Sequence, residues 1–363
     1  MNLSIAFFIT PHGYGHAARA SGLMSALREI DHGIGFEIFT TVPEWFFHES
    51  IPAGFAYHPM VTDIGLVQNT PFRADLTKTA DMLDRLLPFD ESLIMGLAEK
   101  VMDRGCCLTV CDISPMGILV AEKAGIPSVL VENFTWDWLY EEYVPMDIRL
   151  NGHIRYLRQL YQRANHHIQT MPVCEPLDAD LVTLPVSRKP KTDPDIIRKR
   201  LGIPENAKVV MITSGGIQED YHFLKGISDM KEIRFIICSR VEKVKKQANL
   251  YIIPHHAEYF HPDLLNASNA VIGKAGYSTL AEAYHIGIPF GYVTRADFRE
   301  SEVLASFIER EMKGIAISVE DFYEGGWTSR LSDLLALPEI RRSGPFGADQ
   351  AAGFIHSLIS RVQ

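Results

Sequence analysis

Short apolar runs of strand length alternate with longer stretches of helical spacing along most of this chain. In the first half, Leu3–Thr10, Gly35–Thr40, Leu108–Cys111, Ser128–Val131 and His167–Thr170 predict strands. Between them, Ala17–Ile30, Ser92–Met102 and Met116–Lys123 carry apolar residues at the three-to-four-residue period of helices. Gly125-Ile126-Pro127 stops the last of these before the next strand. From Met171 to Pro204 the pattern lapses under prolines at 172, 176, 185, 190, 194 and 204. A second series then begins, with strands expected at Lys208–Thr213, Arg234–Cys238, Leu250–Pro254, Ala270–Gly273, Pro289–Val293 and Gly314–Ile317. Helices are expected at Asp195–Leu201, Ser278–His285 and Glu302–Arg310, and a terminal one at Ala348–Val362 after Gly344-Pro345.

Alternation of this kind predicts an α/β fold, with parallel sheets covered by helices. Two doubly wound, Rossmann-like domains facing a cleft are expected. The first spans 1–184 and the second 185–345, with a C-terminal helix at 346–363 packing back on the first domain. A length of 363 residues is consistent with two domains.

Charge narrows the classes of partner. The net charge is −10, which excludes a phosphate backbone as the natural ligand and so a nucleic-acid binder. The basic runs Arg188–Lys191, Arg198–Arg200 and Lys243–Lys246 read as solvated helix faces or linker. No apolar stretch reaches the ~20 residues that span a bilayer, and the N-terminus shows no basic region or cleavage pattern. A cytoplasmic protein is expected, with no indication of peripheral membrane contact. Cys106, Cys107, Cys111, Cys174 and Cys238 form no CxxC pair and no metal-ligand spacing, so reduced thiols are expected.

Two turns carry candidate chemistry. Thr10-Pro11-His12-Gly13-Tyr14-Gly15-His16 lies between the first strand and the first helix, where open α/β sheets bind ligands. Gly13 and Gly15 let a ligand approach the backbone, and the helix start favours an anion. The spacing is not GxGxxG, and glycines flanking the HxxxH of His12 and His16 argue against a helical metal pair. On the residues alone, His16 either does chemistry or closes a turn. Gly273-Lys274-Ala275-Gly276-Tyr277-Ser278-Thr279-Leu280-Ala281-Glu282 likewise follows a strand and opens a helix. Small residues there suit a diphosphate, with Lys274 as an added cation and Glu282 placed for a ribose diol. Ordinary capping by Ser278 or Thr279, with Glu282 as a first-turn acid, is the competing account.

GKAGYSTLAEAYHIGIPF followed by TRADFRESEVLASFIE resembles the donor-binding half of inverting GT-B glycosyltransferases. These include UDP-glycosyltransferases and the bacterial enzyme that adds N-acetylglucosamine to lipid I. HGYGHAAR is similar to the start of the same fold. Over nearly the whole chain, including Val110–Val131 and Asn133-Phe134-Thr135-Trp136-Asp137-Trp138, it resembles the N-terminal glycosyltransferase-like domain of plant L-arabinokinases.

The resemblance implies an inverting, metal-independent hexosyltransferase-type enzyme that takes a sugar from a nucleotide diphosphate sugar, a UDP-sugar, without a cofactor. It implies His16 as general base and Asp112 as the carboxylate that orients it. The donor would be held by Gly276, Tyr277 and Ser278 with Lys274 and Thr279 on the diphosphate, Glu282 on the ribose and Glu300 on the sugar. His256 and Ala257 match a loop that packs on the base, and Ser214-Gly215-Gly216 matches another ligand loop. Phe134, Trp136 and Trp138 are acceptor-side candidates, with local packing as the alternative. Where many members carry an acid-glutamine or glutamine pair on the sugar, this chain has Glu300-Ser301. Retaining members often carry Glu-x7-Glu ending at the position of Glu282, but Lys274 stands eight residues earlier, so inversion is implied. The strings Asp178-Ala179-Asp180 and Asp193-Pro194-Asp195 lie in the proline-rich segment and read as solvated turns, so no metal site is expected. Two other functions stay open: a nucleotide-sugar 2-epimerase of the same fold, suggested by Ser214–Glu219, and a non-catalytic nucleotide-sugar-binding subunit.

Overall fold

The structure, a computed structural model, describes residues 3–70, 73–213, 224–239, 241–254 and 258–360. The chain divides into two compact units: Met1–Arg188 with Pro345–Gln363, and Lys189–Gly344.

The first unit is built on a seven-stranded parallel sheet. Its strands are β1 (Ser4–Ile9), β2 (Gly35–Thr40), β3 (Phe55–Pro59), β6 (Cys106–Asp112), β7 (Ser128–Glu132), β8 (His166–Thr170) and β9 (Leu181–Thr183), while β4 (Gln68–Thr70) and β5 (Arg73–Ala74) form a separate antiparallel pair. The order β3-β2-β1-β6-β7-β8-β9 places the chain reversal between β1 and β6. Along that seam Phe8 pairs with Cys111 and Ile9 with Asp112, so the strand ends that feed the first turn lie side by side. β1 is buried from Ile5 to Ile9 on both faces, which explains its unbroken apolar run in place of an alternating one.

Helix Gly15–Ile30 covers one face of this sheet, and the terminal helix Gly347–Ile359 packs on it. Their shared core joins Ala17, Ala20 and Met24 to Ala348, Ala351, Ala352 and Ile355. The unit runs to Arg188, beyond the proline-based boundary. Val186 is in the core, Leu184 N donates to Gln350 Oε1 (2.8 Å), and Arg188 is buried over the Phe46 ring at 4.9 Å. Arg188 is therefore not part of a solvated basic face, since its stem and guanidinium are used in packing.

The second unit repeats the plan. Its strands are β10 (Lys208–Thr213), β11 (Ile233–Ser239), β12 (Lys245–Gln247), β13 (Leu250–Pro254), β14 (Ala270–Lys274), β15 (Phe290–Val293) and β16 (Gly314–Ile317), in the order β12-β13-β11-β10-β14-β15-β16. Among the described residues of this unit, only β12 runs antiparallel to its neighbour. The reversal here lies between β10 and β14, and β14 leads into helix Tyr277–Ile286. The fold class is thus α/β, with two parallel sheets of seven strands, β12 being the antiparallel edge of the second.

Several helices start one or two residues earlier than their apolar spacing predicts, and three of these carry candidate site residues. The first begins at Gly15 and not Ala17, the β14-linked helix at Tyr277 and not Ser278, and a third at Glu300 and not Glu302. Polar or small first-turn residues extend each beyond its apolar stripe. These shifts move His16 and Glu300 out of loops and into first helical turns. Among the described residues, no helix is long and apolar enough to cross a membrane.

Candidate functional site

At the β1/β6 seam, Asp112 ends β6 and His16 stands in the first turn of the helix that follows β1. Gly13 takes φ +69° in the connecting turn, a left-handed conformation that glycine adopts at little cost. His16 Nδ1 lies 2.9 Å from Asp112 Oδ1, with both side chains buried.

The sequence reading missed the third member. Arg19, three residues on and on the same helix face, is 1% exposed. Its Nε donates to Asp112 Oδ2 (2.9 Å), its Nη2 to Oδ1 (2.6 Å), and its Nη1 to Asn133 Oδ1 (2.8 Å) and Thr170 Oγ1 (3.4 Å). A forked, two-point grip on a carboxylate is the strong form of this contact. Burial alone would raise the Asp112 pKa, but the charge and hydrogen bonds of Arg19, joined by the bond from His16, hold it below the ordinary carboxylate range.

An ionised Asp112 can only accept, so Nδ1 of His16 carries the hydrogen, and in the neutral imidazole the lone pair is on Nε2. Arg19 Nη2 at 3.2 Å from Nδ1 is the longer and weaker competitor. The arrangement is an Asp112–Arg19 ion pair beside an imidazole that turns its Nδ1 to the carboxylate.

Aromatic rings wall this histidine. Phe134 and Trp136 have ring centroids 6.2 and 6.3 Å from His16, Trp138 packs on Phe134 at 6.3 Å, and Trp136 meets His12 at 5.4 Å. All three acceptor-side candidates are buried in this packing. The Trp136 indole Nε1 donates to Asp63 Oδ2 (3.1 Å), and Thr10 Oγ1 donates to Asp63 Oδ1 (2.5 Å). Burial pushes Asp63 up to about 7 despite those two bonds, with Asp112 adding to the rise. Two buried carboxyls in one site are thus driven in opposite directions, a pattern that separates proton-holding roles.

The second unit gathers Lys274, Gly276, Tyr277, Ser278, Thr279 and Glu282 on the single turn from β14 into helix Tyr277–Ile286. Capping by Ser278 or Thr279 does not occur: the N-cap is Gly276, with no side-chain cap and no acidic residue in the first turn. Glu282 sits deeper, 2% exposed, with Oε2 2.9 Å from His261 Nδ1. A helix start left without its own cap or acid keeps its positive end for an anion. Among the described residues, a Cβ built on Gly276 would meet only Lys274 atoms, at ordinary contact distances of 3.8 and 3.9 Å.

Glu300 lies apart from that turn, in the first turn of helix Glu300–Glu311. It is 3.6 Å from Arg295 Nη2, and the Arg295 guanidinium stacks over Phe298 at 3.2 Å. His261 and Arg295, both missed in the sequence, are recognisable only once these partners are brought together. Ser214, Gly215, Gly216, His256 and Ala257 lie outside the described residues.

The aspartates of the proline-rich segment have structural work. Asp193 caps helix Pro194–Leu201 through the Asp195 amide, and Asp180 accepts from the His167 amide. Among the described residues, no group of three His, Cys, Asp or Glu side chains is placed to hold a metal ion.

Comparison with known proteins places these two sites in context. Residues 80–332, more than two thirds of the chain, match the family Glycosyl transferase family 1. Arabidopsis thaliana L-arabinokinase is 28% identical over 362 residues, covering 97% of this chain and 34% of that protein, so the chain spans about a third of that relative's length. Two solved structures share the GT-B fold. CalG4, the calicheamicin glycosyltransferase, has a TM-score of 0.64 at 14% identity over 100% of both chains. Medicago truncatula UGT71G1 complexed with UDP-glucose has a TM-score of 0.59 at 14% identity, covering 98% of this chain and 94% of that one.

Proposed function

Since the chain belongs to glycosyl transferase family 1, we propose that it transfers a hexose-type sugar from a UDP-sugar to an acceptor hydroxyl with inversion, using His16 as the general base. The observation that carries this reading is the buried His16–Asp112–Arg19 cluster, which leaves Nε2 as the basic atom at the β1/β6 seam. The acceptor hydroxyl gives its proton to Nε2 as its oxygen attacks the anomeric carbon, and the bond from that carbon to the diphosphate breaks with its electrons leaving on UDP. The imidazolium formed is stabilised by Asp112, whose position Arg19 fixes.

The donor half of the reading rests on the second unit. The uncapped start of helix Tyr277–Ile286 and Lys274 suit the charge that develops on the leaving diphosphate. Glu282, held by His261, suits the ribose diol, and Glu300 a sugar hydroxyl. The UDP-glucose in the Medicago structure supports uridine as the nucleoside.

Two outcomes test the donor half. Gly276→Leu should weaken UDP binding well beyond about tenfold while leaving the melting temperature near wild type, because a Cβ there meets no described atom closer than 3.8 Å and the extended backbone suits any residue. Isothermal titration with UDP checks it, and wild-type affinity in that variant would move the diphosphate elsewhere. Turnover should also survive EDTA, since Lys274 and backbone amides take the place of a cation. Loss of turnover in EDTA that Mg²⁺ or Mn²⁺ restores would refute this.

A further inference from the structure

Asp63 lies in an irregular segment between β3 and β4, and nothing in the proposed chemistry uses it. It is 4% exposed, and each of its oxygens serves a different part of the site. Oδ1 accepts from Thr10, the residue that follows β1 and begins the histidine turn, and Oδ2 accepts from the Trp136 indole. The flanking residues tie the same parts together. Thr62 Oγ1 donates to Ile9 O (2.9 Å), Ser114 Oγ donates to Thr62 O (3.3 Å), and Tyr140 OH donates to Gly65 O (2.8 Å). Tyr140 in turn stacks on Trp136 at 5.8 Å.

We propose that Asp63 is a positioning residue for the base: it locks the strand end that carries the histidine turn and the indole beside His16 into one frame. This rests on His16 being the base.

The chemistry of the two partners defines how that frame behaves. An indole N–H only donates, whereas a threonine hydroxyl donates or accepts. A proton on Asp63 must therefore sit on Oδ1 and point at Thr10, whose hydroxyl turns to accept it. The ionised and protonated forms keep both hydrogen bonds with the same heavy atoms. Asparagine reproduces the protonated form, with its amide nitrogen on Thr10 and its oxygen on the indole. Leucine removes both contacts and leaves the indole N–H buried without an acceptor.

Asp112 from β6 and Tyr140 and Tyr161 from two further helices act electrostatically on Asp63, while His12 and His16 lie against the Trp136 ring at 5.4 and 6.3 Å and Arg19 is held on Asp112. Burial holds both tyrosines well above their ordinary range, so they stay neutral. Asp112 is ionised beside Arg19. Burial pushing Asp63 up to about 7 places its exchange between the two forms near neutrality.

The test uses the full chain and reads the Trp136 indole N–H resonance by NMR, assigned with Trp136→Phe, across pH 5.5 to 8.5. The expected result is a titration component with a midpoint near 7 in wild type that is absent from Asp63→Asn. UDP release from a UDP-sugar should persist in Asp63→Asn to within about threefold and fall more than about tenfold in kcat in Asp63→Leu, with donor KM unchanged in both. An indole resonance that does not move in wild type, or an Asp63→Leu enzyme with wild-type kcat, would overturn the proposal. Should Asp63→Leu not fold, the indole titration and the Asn variant decide. His16→Ala measured alongside separates the two ideas: wild-type turnover there would remove the base assignment, while the indole titration still judges the frame.

Discussion

Replacing His16 with alanine should abolish sugar transfer, a loss on the order of 10²–10⁴ in kcat, the usual contribution of a positioned general base. UDP affinity should stay at the wild-type level, because the residues proposed for the diphosphate and ribose all belong to the second unit. Asp112→Asn should cost less than His16→Ala. The imidazole remains, but the charge that orients it and stabilises its protonated form is gone. Steady-state kinetics paired with a UDP titration separates these effects. Equal loss of UDP affinity in both variants would instead make the pair a structural feature, and wild-type turnover in His16→Ala would end the assignment of the base.

The second large effect concerns Arg19. Arg19→Met keeps the volume and removes the fork, leaving Asp112 as an uncompensated charge in a buried site. Breaking a buried pair in this way costs about 3–5 kcal/mol, roughly 6–20 °C in the melting temperature of a unit near 200 residues. The pH dependence identifies the cause. In wild type the folded-state pKa of Asp112 is lowered, so the pair adds stability above the ordinary carboxylate range and that stability is lost as pH falls through the folded value. Without Arg19 only burial and His16 remain, and burial raises the pKa. Asp112 would then take up a proton on folding, and the variant should recover stability relative to wild type as pH falls. Melting temperatures of both proteins between pH 4 and 8 check this. A gap that does not narrow toward acid would mean that Arg19 contributes packing alone.

Much of this was legible in the sequence, for identifiable reasons. β1 and β10 are buried on both faces and so read as continuous apolar runs bounded by turn residues. The first histidine turn and the Gly276 turn both follow such strands, which made their position at the carboxyl ends of the two sheets readable. The edge strands β3 and β9 were not seen, since half-buried strands of five and three residues leave little pattern. Helix Leu150–Tyr161 does bury Leu150, Ile154, Leu157 and Tyr161 at helical spacing, a signal that was present and overlooked.

The site was half legible. Asp112 was legible through the family resemblance alone, and the structure places it at the end of the strand beside β1. Arg19 was overlooked because arginine is rarely buried, and only its three-residue spacing from His16 pointed inward. Asp63 left no trace at all. It sits in an irregular segment, and its partners Thr10 and Trp136 are 53 and 73 residues away. Its burial is a property of the folded chain that no local spacing encodes.

The most direct test of the central reading follows one reaction by NMR. The protein is incubated with a UDP-sugar labelled with ¹³C throughout the sugar, and the anomeric signal and UDP are tracked together. The account predicts release of UDP with the sugar carbon appearing first in the opposite anomeric configuration, and neither change in His16→Ala. Retained configuration, a sugar epimerised at its second carbon, or UDP-sugar that binds and stays intact would each contradict it.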